Sequence, residues 1–381
     1  MTSQAAHRVA PTDLERSASA DAERAARVLL ARISEPEDPA VHRLLAETGD
    51  PVEAVAGLRA GHPKALASRL AARLERAEDA DDTFIAERLG ARILIPSDPD
   101  WPPGLLDLQM PPHCLWVLGP VALAPALRRS VALVGARAAT AYGLDRAQEI
   151  AGGLVDRHFT IVSGAAFGID AAAHAGVLAA DGVTIAVLAC GIDRVYPTAH
   201  ARLISTIAQT GAVVTELPPG SAPYRMRFLQ RNRLIAAMTG GTVVIEAALR
   251  SGSLQTAARA ADLGRPVGAV PGPVTSMPSS GCHQAIRDQL ATLVTDAAEV
   301  ADLVGGFGVD AVERPREPPR PEDALSPAQR AVFQVLPMGR SASVEMLAER
   351  AALDVLSVQA SLGPLELAGL ARRSGERWLR S

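Results

Sequence analysis

IVSGAAFGIDAAAH, residues 161–174, is the stretch on which the reading of the fold turns. An apolar strand ending at Val162 breaks at Ser163-Gly164, and an alanine-rich helix begins after Gly168. Such a strand–turn–helix leaves backbone N–H groups free at the positive end of a helix dipole, where an anion can be held. A parallel sheet needs turns of this kind merely to reverse direction, so one loop by itself does not establish a ligand.

The pattern repeats on both sides of it. Apolar runs VALV (131–134), TIV (160–162), TIAVLA (184–189), AVVT (212–215), TVVIEA (242–247) and PVGAV (266–270) alternate with helix-length segments. Short continuous apolar strands separated by helices predict a parallel sheet covered on both faces. Further strands are expected at 91–96 and 114–118, with a last short one near 291–294. Upstream, residues 21–74 read as short helices with apolar clusters Leu29/Leu30/Ile33 and Val52/Val55/Leu58 and a turn at Gly49-Asp50-Pro51. Downstream, VERPREPPRPED reads as a semi-rigid linker. Ser326-Pro327 starts a helix, Ser343 caps a second and 353–370 supplies a third, kinked at Gly363-Pro364. A hairpin through Ser374-Gly375 completes a winged-helix pattern.

The predicted organisation is a disordered tail (1–21), a helical N-terminal domain (22–78), an extended Rossmann-like α/β domain (82–305), a linker (306–325) and a winged-helix-like domain (326–381). The 381 residues carry a net charge of −4, so a polyanion would have to be held by a local patch. The three cysteines, Cys114, Cys190 and Cys282, are far apart without a CxxC spacing, which fits a reducing cytoplasm and speaks against structural zinc. The longest apolar run, 183–190, is far short of the roughly 20 residues that span a bilayer.

In a parallel sheet all strand carboxyl ends share one edge, and ligands bind outside it. Six loops rich in Gly, Pro and Ser emerge there, three of them with arginine. The first, VGARAATAYG, lacks G-x-G-x-x-G and puts Arg137 where a pyrophosphate would sit, which disfavours NAD. In PYRMRFLQRNRLI (223–235), Arg225, Arg227, Arg231 and Arg233 fall within nine residues, with no Asp or Glu between Glu216 and Glu246. Tyr224 and Phe228 are interleaved. Cations that hold a phosphate backbone beside rings that stack on bases suit single-stranded nucleic acid; the alternative is a solvated helix face with Phe228 in the core. Asp170 and His174, four apart on one helical face, could make an acid–base pair or two metal ligands, but a helix-stabilising Asp contacting a histidine one turn later is the favoured reading, and Cys282 is read as a buried thiol. No HExxH, GxSxG or Walker A motif occurs.

With these residues in view, 131–290 resembles the DNA-processing protein A family (DprA, also called Smf). The likeness runs through VALVGARAATAYG, IVSGAAFGIDAAAH, VLACGIDRVYP, TELPPG, FLQRNRLIAAM, VVIEAALRSGSLQTA, AVPGPVTS and GCHQAIRD. The resemblance implies a Rossmann-like fold without a cofactor, sequence-independent binding of single-stranded DNA, a homodimer through the Rossmann-like domain, and loading of the RecA recombinase during natural transformation. By position it implies that Arg137, Arg225, Phe228, Arg231, Asn232 and Arg233 line a DNA groove, while Ser163, Gly164 and Gly168 cradle a phosphate. Arg225 stands where the family usually has lysine, Leu229 replaces a usual proline, and Thr198-Ala199-His200 replaces a stretch often carrying Lys or Asn. The competing reading is a nucleotide-binding enzyme, such as a phosphoribohydrolase using Glu246 or Asp170, although TGGTVVIEA lacks the PGGxGTxxE arrangement of that group.

Overall fold

A computed structural model of the chain describes residues 13–78, 80–306, 309–311 and 321–381. They fall into two compact units, Met1–Val312 and Glu313–Ser381.

The first unit is built on nine strands: β1 Ala91–Leu94, β2 Leu115–Leu118, β3 Ser130–Val134, β4 Thr160–Ser163, β5 Thr184–Val187, β6 Ala212–Thr215, β7 Thr242–Val244, β8 Val267–Ala269 and β9 Thr292–Leu293. Their spatial order is β1-β2-β6-β5-β4-β3-β7-β8-β9. From β6 to β9 every pairing is parallel, as the apolar runs predict. The two strands read at 91–96 and 114–118 join that sheet antiparallel, with Trp116 opposite Thr215. Alternation along β3 sends Ala132 and Val134 to one face and Val131 and Leu133 to the other. Helices Arg225–Met238 and Gly252–Asp262 cover the first face, and Ala141–Val155 and Ile169–Ala179 the second. Burial on both sides is why these strands contain no alternating polar residue. After β6 the chain crosses back to place β7 beside β3, so the strand order reverses between those two strands and opens a crevice at their carboxyl ends.

Five helices precede the sheet: Asp13–Ile33, Pro39–Thr48, Pro51–Arg59, Lys64–Glu78 and Asp82–Leu89. Helical structure from Asp13 replaces the second half of the tail expected through residue 21; residues 1–12 lie outside the described residues. Asp38 and Asp50 cap the second and third helices, each followed by proline at the first helical position, and Gly49 (φ 69°) ends the second. The two apolar clusters read from the sequence are one: Leu30, Ile33, Val41, Leu44, Val55 and Leu58 pack together, while Val52 remains exposed.

In the second unit Ser326 forms a capping box with Gln329, and Ser343 and Asp354 cap the next two helices. Strands Ala371–Ser374 and Arg377–Arg380 form the hairpin, and Ala342 bridges to Trp378. The third helix, Val355–Leu367, runs on through Pro364. Most of the expected linker lies outside the described residues.

Candidate nucleic-acid interface

The crevice where β3 meets β7 is an open cleft of about 900 Å³. The β3 loop on one wall is pinned from β7. Ala136 N–H donates to the Glu246 carbonyl at 2.6 Å, and the Thr140 N–H and hydroxyl donate to the Glu246 carboxylate at 2.8 and 2.7 Å. Gly168 (φ 76°) lets the neighbouring loop pass so close that a Cβ would strike the Ala136 and Arg137 carbonyls. Held this way, Arg137 is exposed, with its guanidinium 4.8 Å from the Phe228 ring centre.

Helix Arg225–Met238 forms the opposite wall. Arg225, Phe228 and Asn232 share a face at helical spacing and line the cleft with Tyr224. Tyr196, from the loop after β5, sets its ring 5.7 Å from that of Phe228. Arg250, at the end of β7's loop, is exposed on the rim. Among the described residues no carboxylate pairs with Arg137, Arg225 or Arg250, so three cations face one open space with the rings of Tyr196, Tyr224 and Phe228. Arg250 and Tyr196 were not singled out as site residues from the sequence; both belong to carboxyl-end loops, which is the signal that could have found them.

Arg231 takes a different place. It is 5% exposed, its Nη1 donates to the Val187 carbonyl at 2.5 Å, and it forms the floor of the cleft rather than an open contact. Burial lowers its pKa to about 10, which leaves it charged at neutral pH. Its guanidinium lies against Gly164, where a Cβ would collide with it. The Gly164 N–H, expected to meet a phosphate, instead donates to Asp170 at 3.1 Å. The helix dipole is thus answered by the chain's own carboxylate, whose pKa burial raises against the opposing charge of Arg231. Ser163 is buried with its hydroxyl on the Leu133 carbonyl at 2.6 Å. Ser163, Gly164 and Gly168 therefore shape the loop and do not line the cleft.

Arg233 is also elsewhere. It is 2% exposed, donates to Glu216 at 2.5 Å and lies 3.7 Å from Glu37. The segment free of acids in sequence is not free of them in space. Arg227 likewise pairs with Glu35 at 3.1 Å, an acid contributed by the helical region.

Asp170 does not hydrogen-bond to His174. Thr184 spends its one hydroxyl proton on the Ile161 carbonyl at 2.9 Å, so His174 Nδ1, 2.7 Å from that oxygen, must be the donor. Its Nε2 is then bare and buried without a partner, and burial lowers the imidazole pKa to about 3. Cys282 is buried as expected, and burial pushes its thiol up to about 12. Glu246 has both oxygens engaged by Thr140, which makes it a clamp rather than a free base.

Residues 92–305 match the family described as DNA recombination-mediator protein A, and residues 316–376 the DprA winged helix domain. The chain belongs to the DNA recombination-mediator protein A family. A DNA processing protein DprA of Mycobacterium tuberculosis is 44% identical over 361 residues, 92% of each chain. Protein Smf of Escherichia coli is 39% identical over 282 residues, covering 72% of this chain and 74% of its own. Among solved structures, DprA from Streptococcus pneumoniae is 35% identical with a TM-score of 0.56, over 62% of this chain and 82% of that one. The Helicobacter pylori protein, whose structure describes a single-stranded DNA binding mode, is 27% identical with a TM-score of 0.50, over 55% and 94%. The mixed α/β sheet and winged helix found here are those of this family. No described helix is long and apolar enough to cross a membrane.

Proposed function

We propose that this protein binds single-stranded DNA without reading its sequence and hands it to the RecA recombinase, as a non-enzymatic mediator of DNA uptake and recombination. The observation that carries the reading is the convergence of Arg137, Arg225 and Arg250 with the rings of Phe228 and Tyr196 in one open cleft. Guanidinium groups grip phosphates whatever the base, and a π-face accepts any base. The strand lies along the walls, with Arg231 and Asp170 fixing the floor beneath it. The family's description as recombination mediators supports delivery to RecA, and a homodimer through the sheet unit and residence in the cytoplasm complete the proposal.

Fluorescence-anisotropy titration of oligothymidylate, a mixed-sequence strand and a duplex tests the binding step. The two single strands bind alike, the duplex binds more weakly, and affinity falls linearly with the logarithm of salt. A duplex bound as tightly as the single strands would refute the cleft as a single-strand site. Faster RecA filament growth on strands first coated with single-strand-binding protein tests delivery, and an unchanged rate would refute it.

A further inference from the structure

A second cationic groove borders the cleft. It has a volume of about 480 Å³ and lies between helix Lys64–Glu78, the end of helix Asp13–Ile33 and the loop Leu217–Ser221. Four arginines line it: Arg32, Arg73, Arg76 and Arg227. Glu35 is the one carboxylate in the lining, 3.5 Å from Arg73 and 3.1 Å from Arg227. Arg32 is answered from outside by buried Asp82 and donates to the Pro219 carbonyl at 2.9 Å. Asp193 also reaches this loop, accepting the Gly220 N–H at 2.8 Å. Arg73 and Arg76, three apart on one helical face, are exposed. The Arg76 side chain donates only to the Ala72 carbonyl one turn back, and no described carboxylate pairs with it.

Tyr224 separates this groove from the cleft. Its ring lines the cleft, its hydroxyl donates to Glu35 at 2.6 Å, and Arg227 lies 4.4 Å over its ring. A strand leaving the cleft past Tyr224 therefore meets Arg227, Arg73 and Arg76 next. We propose that this groove is a second subsite for the same single-stranded DNA, holding backbone phosphates on the helical region while the cleft holds the rings and phosphates at its other end. This extension rests on the single-strand reading of the cleft. An open groove with two exposed guanidinium groups, Arg73 and Arg76, suits a polyanion better than a small ion, because a strand anchored next door adds counterion release to each contact. No base-stacking ring other than Tyr224 lies there, so the subsite is electrostatic.

The test compares wild type, Arg73→Ala/Arg76→Ala and Arg137→Ala on oligothymidylates of about 6 and about 16 nucleotides. Arg76→Ala alone serves as the fold-neutral variant, since it removes a single contact within its own helix. For the long strand, the double variant lowers the slope of log K against log salt by about 1.4, which is two phosphate contacts on a single strand, and Arg76→Ala by about 0.7. The short strand, which fills only the cleft, binds the double variant as it binds wild type. Unchanged slope and affinity with the long strand overturn the proposal. So does equal weakening with both lengths, which would mean that these arginines act on the cleft itself. The cleft reading stands in either case if Arg137→Ala weakens both lengths. Wild type that binds neither strand overturns both readings.

Discussion

Arg137→Ala is the substitution that discriminates most sharply between a phosphate contact and a structural role. The side chain is exposed, has no carboxylate partner among the described residues, and stacks over Phe228. If its guanidinium holds one phosphate, its loss costs about 2 kcal/mol, or roughly 30-fold in affinity at low salt. One contact fewer also lowers the salt slope by about 0.7, so between about 50 and about 200 mM salt the gap to wild type narrows by about 2.6-fold. Folding loses only the ring contact, worth about 0.5–1 kcal/mol at an exposed site. Arg137→Lys retains the charge and the slope but not the planar fork over Phe228, and recovers part of the affinity. Anisotropy titrations across salt, with denaturant unfolding as the control, read both quantities. Weakened binding at unchanged slope would mean that Arg137 shapes the loop and contacts no phosphate. Unchanged affinity would remove the cleft from the DNA path.

Gly164→Ala drives a methyl group into the Arg231 guanidinium and costs about 1–3 kcal/mol in urea unfolding, with a loss of DNA binding that follows the displaced floor. Glu246→Gln turns one clamp oxygen into a donor facing Thr140 and lowers stability by about 1–3 kcal/mol in urea unfolding. Acidification destabilises the sheet unit through His113 and His174, whose folded pKa values of about 3 lie below the unfolded 6.5 because both are buried. The unfolded chain takes up their protons first, so stability present above pH 6.5 is lost as the pH falls, by about 2 kcal/mol per histidine at about pH 5. Asp170 and Glu216, raised by burial, act in the opposite sense as they protonate. A denaturation midpoint that does not move between about pH 7.5 and about pH 5 would refute this balance.

What the sequence discloses and what it hides divide along a physical line. Strands β3 to β8 were legible because burial on both faces makes each a continuous apolar run, and that signal is local. The antiparallel attachment of β1 and β2 was not, because an apolar run carries no record of its neighbour's direction. The same division separates the arginines of 225–233. Helical spacing puts Arg225, Phe228 and Asn232 on one face, and the structure brings them to the cleft with Arg137. The fate of Arg227 and Arg233 was decided by Glu35 and Glu37, almost 200 residues earlier in the chain, together with Glu216. Gly164 and Asp170 present the same problem at short range. Free N–H groups after a strand are legible as an anion site, but the six-residue gap does not say that the anion is the chain's own. A charge pattern in sequence thus counts the cations available to a ligand only after every carboxylate brought near by folding has been subtracted. Here that subtraction leaves Arg137, Arg225 and Arg250 in the cleft and Arg76 beyond Tyr224, beside Arg73, which lies 3.5 Å from the Glu35 it shares with Arg227, and it is these five, rather than Arg227, Arg231 and Arg233, whose removal changes the salt dependence.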